Sequence, residues 1–436
     1  MRALLRGGLL ALGFTLAGCA GSWSAPEQNP RAATRLSPTF AALVTSPTDF
    51  DAEPREVSAA LAEEDLDFAL DVFAEAYAAP EGHAPLPPRA QIDETRRVIR
   101  SRERLSPFEL ATLLRDLLRA DDGHLAFGHG GARPLRLEAL PAPPAPPKSD
   151  APPVEIVEGE VPVLVVRTFE TAAAAALATL PRLAERLREA RAFVVDLRGN
   201  RGGNYAFAER LVLTLARGPI HALGTREVQS VTALLGRVNA AKRRLARGDV
   251  PPAARPLFLE HISLLERLAD DLAARGEGRV EIVREGEVLQ GAAPRPLAGR
   301  GVVLVDRGCA SACEMFVALA RQVPGLLVAG ERTRGSMAVG EVASFLLPRS
   351  RLTVTLGTRA VVDPLGDFDE RRGFVPDLEL DLGGAAALVE ARRVASSAPP
   401  SAWAAARARA PSLVDRRARE LRAEAAAARS GTKKPR

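Results

Sequence analysis

Lysine is almost missing from this chain. Among 436 residues it occurs only as Lys148, Lys242, Lys433 and Lys434, so arginine supplies nearly all of the 59 basic side chains. Any chemistry that needs a lysine amine has few places to find one. An excess of charge is missing too. The 54 acidic residues offset the basic ones to a net +5, which gives no reason to expect a nucleic-acid partner. Long apolar runs are also missing: the stretch from Gly8 to Ala17 is too short to span a bilayer as a stable helix, and no other approaches that length. What is present is ordinary globular composition, 47% hydrophobic and 26% charged, which excludes global disorder, collagen and coiled coil. The length predicts two or three folding units around a large core, and 35 glycines and 34 prolines predict real linkers.

The N-terminus carries Arg2 and Arg6 before the short apolar run, the layout of a secretory signal. It ends in Leu16-Ala17-Gly18-Cys19, which resembles the lipobox of bacterial lipoproteins. The resemblance implies cleavage before Cys19, its lipidation, and a lipid-anchored place in the bacterial cell envelope. Ala20 in the next position favours the outer membrane, facing the periplasm. Residues 20–39 read as a flexible tether. The other two cysteines, Cys309 and Cys313, lie four apart. Side chains at that spacing on a helix are rarely aligned for a bridge, so the pair is read as two small apolar fillers, with a disulfide as the alternative.

Residues 40–132 read as a helical domain, with apolar positions at helical spacing from Leu61 to Phe73 and from Phe108 to Leu118. Asp122-Gly123-His124 follows, and Gly123 is expected to cap the second helix. A Pro-rich linker is expected over 133–154. From there to about residue 384, short buried strands alternate with helices. Strands are expected at Val163 to Val166, Phe193 to Leu197, Val302 to Val305 and Leu326 to Ala329. Helices are expected at Thr171 to Ala190, Tyr205 to Arg217 and Ser311 to Gln322. That alternation predicts an α/β fold with a mostly parallel sheet. Arg351 to Leu356 and Arg359 to Val362 read as a later pair of strands. Residues 218–278 read as an inserted helical hairpin broken at Pro251-Pro252, and 385–436 as an Ala/Arg-rich helical tail.

Two segments carry chemistry. In Gly301 to Phe316, GVVLVDRGCASACEMF, a buried strand turns through small residues into a helix. Ser311 is thereby put at a helix N-terminus, where free N–H groups and the dipole favour an oxyanion. The plainer reading of Ser311 is an N-cap. In Asp196 to Gly203, DLRGNRGG, a strand enters a glycine-rich turn. It lacks a Walker lysine, and its paired glycines permit close approach of backbone to a ligand.

These two motifs are followed by Gly330-Glu331-Arg332-Thr333-Arg334-Gly335 and by Glu370-x-x-Gly373-Phe374-Val375-Pro376-Asp377. In that order the four resemble the C-terminal processing (tail-specific) serine peptidase family. The resemblance implies a crotonase/ClpP-like core with Ser311 as nucleophile. Tail-specific members place a lysine base directly after the glycine of the third motif. Here that position is Ser336, and none of the four lysines lies near it. Leu346-Leu347-Pro348-Arg349-Ser350 and the last motif instead resemble the tricorn-core and interphotoreceptor retinoid-binding protein-like branch. That branch implies a histidine base from the preceding helical region, His124 with His129 as fallback. It also implies a carboxylate after the core, Glu370 with Asp369 as fallback. A histidine suits the task, since its proton affinity lies near neutrality. The oxyanion hole is expected from the Ala312 N–H and one from Gly202 or Gly203. Asp196 and Arg198 are read as holding the strand-end turn, and Glu314 as helping to fix the helix start. No PDZ-like segment separates the helical region from the core, so recognition of a substrate C-terminus is not implied. The expected activity is serine endopeptidase, acting on a peptide or protein substrate with no cofactor and no metal. The alternative is a catalytically silent protein on the same fold that binds peptides or apolar ligands.

Overall fold

The computed structural model describes residue 43, residues 45–79, 86–118, 123–128, 135–136, 151–362, 368–380 and 384–397, and residue 403. The expected signal with Cys19, the tether, His129 and most of the Pro-rich linker and tail lie outside the described residues.

The architecture is α/β and rests on two sheets. The first has six strands in the order Leu378–Glu379, Leu326–Gly330, Arg300–Val305, Ala192–Asp196, Val163–Val166, Val154–Val157. Every neighbouring pair is parallel except the last. Its central strands are apolar runs with no alternation, because both faces are covered. Val303, for example, pairs with Val195 on one side and Val328 on the other and is wholly buried. Helices Leu180–Glu189, Tyr205–Leu215 and Ala312–Ala320 cover one face. Helix Gly384–Ser397 covers the other through Ala387, Ala391 and Val394.

The second sheet is antiparallel. It runs Val280–Arg284, Gly224–Gln229, Thr353–Val362, Ala126–Gly128, Leu135–Arg136, with Val339–Leu346 also pairing to Thr353–Val362. Helices Ala59–Ala76 and Pro107–Leu117 and the hairpin Val231–Ala246 with Arg255–Arg275 share its apolar core.

Several sequence expectations change here. The segments at Arg351 to Leu356 and Arg359 to Val362 are one strand, continuous through Gly357, and its hairpin partner is Val339–Leu346. The expected helix from Thr171 to Ala190 is broken into a short 3₁₀ turn and two helices. Residues 219–221 and 224–229, expected as helix, are strands. Gly123 caps no helix. The preceding helix ends at Leu117, and Leu118 is its cap. Among the described residues no helix is long and apolar enough to cross a membrane.

Candidate active site

Ser311 lies at the point where strand Arg300–Val305 has turned and helix Ala312–Ala320 begins. Its backbone has φ 54° and ψ −119°, a region that non-glycine residues rarely enter. Such a conformation costs on the order of 1–3 kcal/mol and persists only where the surroundings impose it. The surroundings do so with hydrogen bonds. The Ala310 N–H donates to the Asn200 carbonyl at 3.1 Å, and the Cys313 N–H to the Ala310 carbonyl at 3.0 Å. The Ser311 N–H donates to Glu314 Oε2 at 3.1 Å.

Glu314 is the hub of this region. Its side chain is fully buried, and beyond Ser311 it accepts from Thr333 Oγ1 at 2.6 Å, Gly335 N at 2.6 Å and Ser336 N at 2.8 Å. Burial pushes its carboxyl above the usual carboxylate range, and these four donors pull the other way. One carboxylate therefore ties the Ser311 turn to the Gly330-to-Gly335 motif. The spacing Ser-x-x-Glu at a helix start, the signature of a capping box, is the sequence signal for it. Local spacing predicts only the hold on the helix start, because three of the donors come from nineteen or more residues away.

The DLRGNRGG loop is clasped against the same turn. Arg198 makes a two-pronged pair with Asp196, Nε to Oδ1 at 2.9 Å and Nη2 to Oδ2 at 2.6 Å. Asp306 Oδ1 accepts from Gly199 N and Gly308 N. Gly202 must be glycine: a Cβ there would come within 2.8 Å of the Ala312 nitrogen and 2.9 Å of Ser311 Cβ. The loop is thus pressed directly onto the Ser311–Ala312 peptide. The Gly202 N–H is already engaged by Asn200 Oδ1 at 2.9 Å. Of the two glycines expected to donate, Gly203 is the one left as candidate. Its φ of 136° again suits glycine.

His124 follows Gly123 on a turn leading into strand Ala126–Gly128. Gly123 is jammed against Ser336: a Cβ at 123 would be 2.3 Å from Ser336 Cβ. Because the N–H groups of Ser336 and Ser311 share Glu314 Oε2, this contact brings the His124 turn to the Ser311 side of the molecule. The Thr355 hydroxyl donates to the His124 carbonyl at 3.3 Å. Glu370 joins the same assembly. Its Oε1 accepts from Gly123 N at 2.9 Å, and its Oε2 from Met337 N at 3.1 Å and Ala338 N at 2.9 Å. Asp369 is exposed and closes a local turn through its carbonyl, which accepts from Arg372 N and Gly373 N. The Leu346-to-Ser350 motif lies elsewhere, at a corner where Asp65 accepts from Arg349 N and Ser350 N.

Cys309 and Cys313 are joined in a disulfide, with Cα atoms 5.3 Å apart. This corrects the reading of two separate apolar fillers. That reading assumed both residues lie on one helix, but Cys309 precedes the turn and only Cys313 is helical. Among the described residues no cluster of His, Cys, Asp and Glu could hold a metal ion.

No curated protein sequence matches the chain. Among solved structures it is similar to one from Parabacteroides merdae ATCC 43184, at 16% identity and TM-score 0.49 over 78% of this chain and 95% of that one. It is similar to mature CPAF complexed with lactacystin at 14% identity and TM-score 0.48, over 82% and 99%. It is also similar to the photosystem II D1 C-terminal processing protease at 19% identity and TM-score 0.33, over 66% and 63%. The model of peptidase family S41 matches residues 160–380, just over half of the chain. That span runs from before strand Val163–Val166 through Leu378–Glu379 and so takes in the Ser311 turn, the glycine loop and Glu314. The chain belongs to peptidase family S41.

Proposed function

We propose that the protein is a serine endopeptidase that uses Ser311 as nucleophile and His124 as general base, with no lysine in the site. The observation that carries this reading is the Ser311 turn itself. A serine held at positive φ, with its own N–H drawn off to Glu314 and the Ala312 N–H at a helix start, is built to present an oxygen and a donor together. Ser311 Oγ attacks the scissile carbonyl. His124 takes the hydroxyl proton and returns it to the leaving amine. Water then attacks the acyl-enzyme by the reverse route. The N–H groups of Ala312 and Gly203 receive the oxyanion. Glu370 is a positioning residue in this scheme, since it fixes the Gly123 backbone relative to residues 337–338.

The test is labelling of the purified protein by a fluorophosphonate probe. Labelling of the wild type, absent in Ser311→Ala and strongly slowed in His124→Ala, supports the reading. A folded wild type that is never labelled, but whose melting temperature rises with apolar ligands, selects a silent binding protein instead. The Leu16-to-Cys19 motif supports a lipid anchor in the cell envelope, and Ala20 after it favours the outer membrane, facing the periplasm. Incorporation of labelled palmitate into the wild type and not into Cys19→Ala is the expected result.

A further inference from the structure

Two cysteines flank Ser311 at equal spacing, and the structure joins them. The bridged loop contains only Ala310, Ser311 and Ala312, and both sulfur-bearing residues are completely buried. The two ends are anchored to different parts of the core. The Cys309 carbonyl accepts from the Arg334 N–H at 2.9 Å, and its neighbour Ala310 donates to Asn200. Cys313 belongs to the first turn of helix Ala312–Ala320. Between them, the Cys313 N–H bonded to the Ala310 carbonyl closes a four-residue turn. Ser311 occupies its first central position, with the dihedrals of a type II′ turn, where glycine is the usual residue. A serine left to itself relaxes towards negative φ. That motion would rotate Oγ and also the peptide carrying the Ala312 N–H, so nucleophile and oxyanion donor would be misplaced together.

We propose that the Cys309–Cys313 disulfide holds this turn in its catalytic form, making both cysteines positioning residues for Ser311. The inference rests on the peptidase reading above. Closing the bridge removes one proton and one electron from each thiol. An oxidising disulfide accepts them and leaves as a dithiol. A chain in reducing surroundings therefore carries two thiols, and hydrogen bonds alone hold the Ser311 turn. The peptidase reaches its full rate only where such an oxidant exists.

The experiment uses the full chain purified without reductant. In the tryptic peptide from Gly308 to Arg321, iodoacetamide is expected to modify neither cysteine of the denatured, unreduced protein, and both after dithiothreitol. The fluorophosphonate kinact and KI are then compared for wild type, Cys309→Ala/Cys313→Ala and Cys309→Ser/Cys313→Ser, each checked for folding by its melting transition. The expected result is a kinact lower by about ten- to a hundredfold, with KI unchanged within about twofold. A merely structural bridge would lower Tm and leave kinact per folded molecule at the wild-type value, which overturns the proposal. Alkylation of either cysteine without reductant overturns it as well. A wild type that is never labelled overturns the peptidase reading and this inference together. A labelled wild type matched by its variants overturns this inference alone.

Discussion

The parallel-sheet half and the antiparallel half contribute to the candidate site in different ways. The parallel half supplies Ser311 on a turn spanned by a disulfide, beside a wholly buried carboxylate and with a glycine loop pressed against it. The antiparallel half supplies His124 from a short turn, held by a Gly123 bond to Glu370, a Thr355 bond to its carbonyl and the contact with Ser336. The Ser311 turn is over-determined, while the His124 turn is held through backbone contacts with a partner loop. Positional precision in this fold is concentrated where an unusual backbone has to be maintained, and the His124 turn is brought up to it.

Four substitutions test that difference. The largest effect is expected for Glu314→Ala. Removing the shared acceptor leaves three N–H groups and the Thr333 hydroxyl buried without it. The loss should be about 3–5 kcal/mol in urea unfolding, with fluorophosphonate labelling abolished. His124→Ala should instead slow labelling about a thousandfold with an unchanged melting temperature. If it unfolds the protein, the base is as deeply built in as the nucleophile, and the contrast is wrong.

The third concerns how the antiparallel half is held. Glu227 bonds Arg237 at 2.7 Å and Arg359 at 2.8 Å. Burial alone would raise its pKa, but the two guanidiniums outweigh burial and bring it from the ordinary carboxylate value of 4.5 to about 2. A lowered carboxylate pKa gives stability that is full above about pH 4.5 and is lost as pH falls towards 2. Glu227→Gln should therefore cost roughly 2–3 kcal/mol at pH 7 and almost nothing at pH 2, read from urea midpoints at each pH. The smallest effect is expected for Gly123→Ala, whose new Cβ must displace Ser336 or the His124 turn. Labelling should slow about tenfold, with KI unchanged. A wild-type rate would mean that the His124 turn yields without consequence.

Much of the parallel half was legible in the sequence because its strands are uninterrupted apolar runs: Val163–Val166 was expected with the boundaries it has. The antiparallel half was not. Thr353–Val362 contains Gly357 and Thr358, so its pattern reads as two pieces, and only pairing with Val339–Leu346 reveals one strand. Within the site, Ser311 stood out because a small-residue cluster follows a buried strand. The work of Glu314 was hidden, because acceptance from Thr333, Gly335 and Ser336 depends on contacts that no local spacing encodes. The bridge was hidden by the assumption that residues 309 and 313 share a helix.

Where lysine-dependent relatives would place their base, this chain has Ser336, and the backbone of Gly123 lies against that serine's Cα and Cβ. An ammonium arm grown from position 336 would need the volume through which the imidazole turn enters. A longer side chain at 336 and the turn that carries His124 are thus rival tenants of one small space. A lysine introduced there would have to displace that turn.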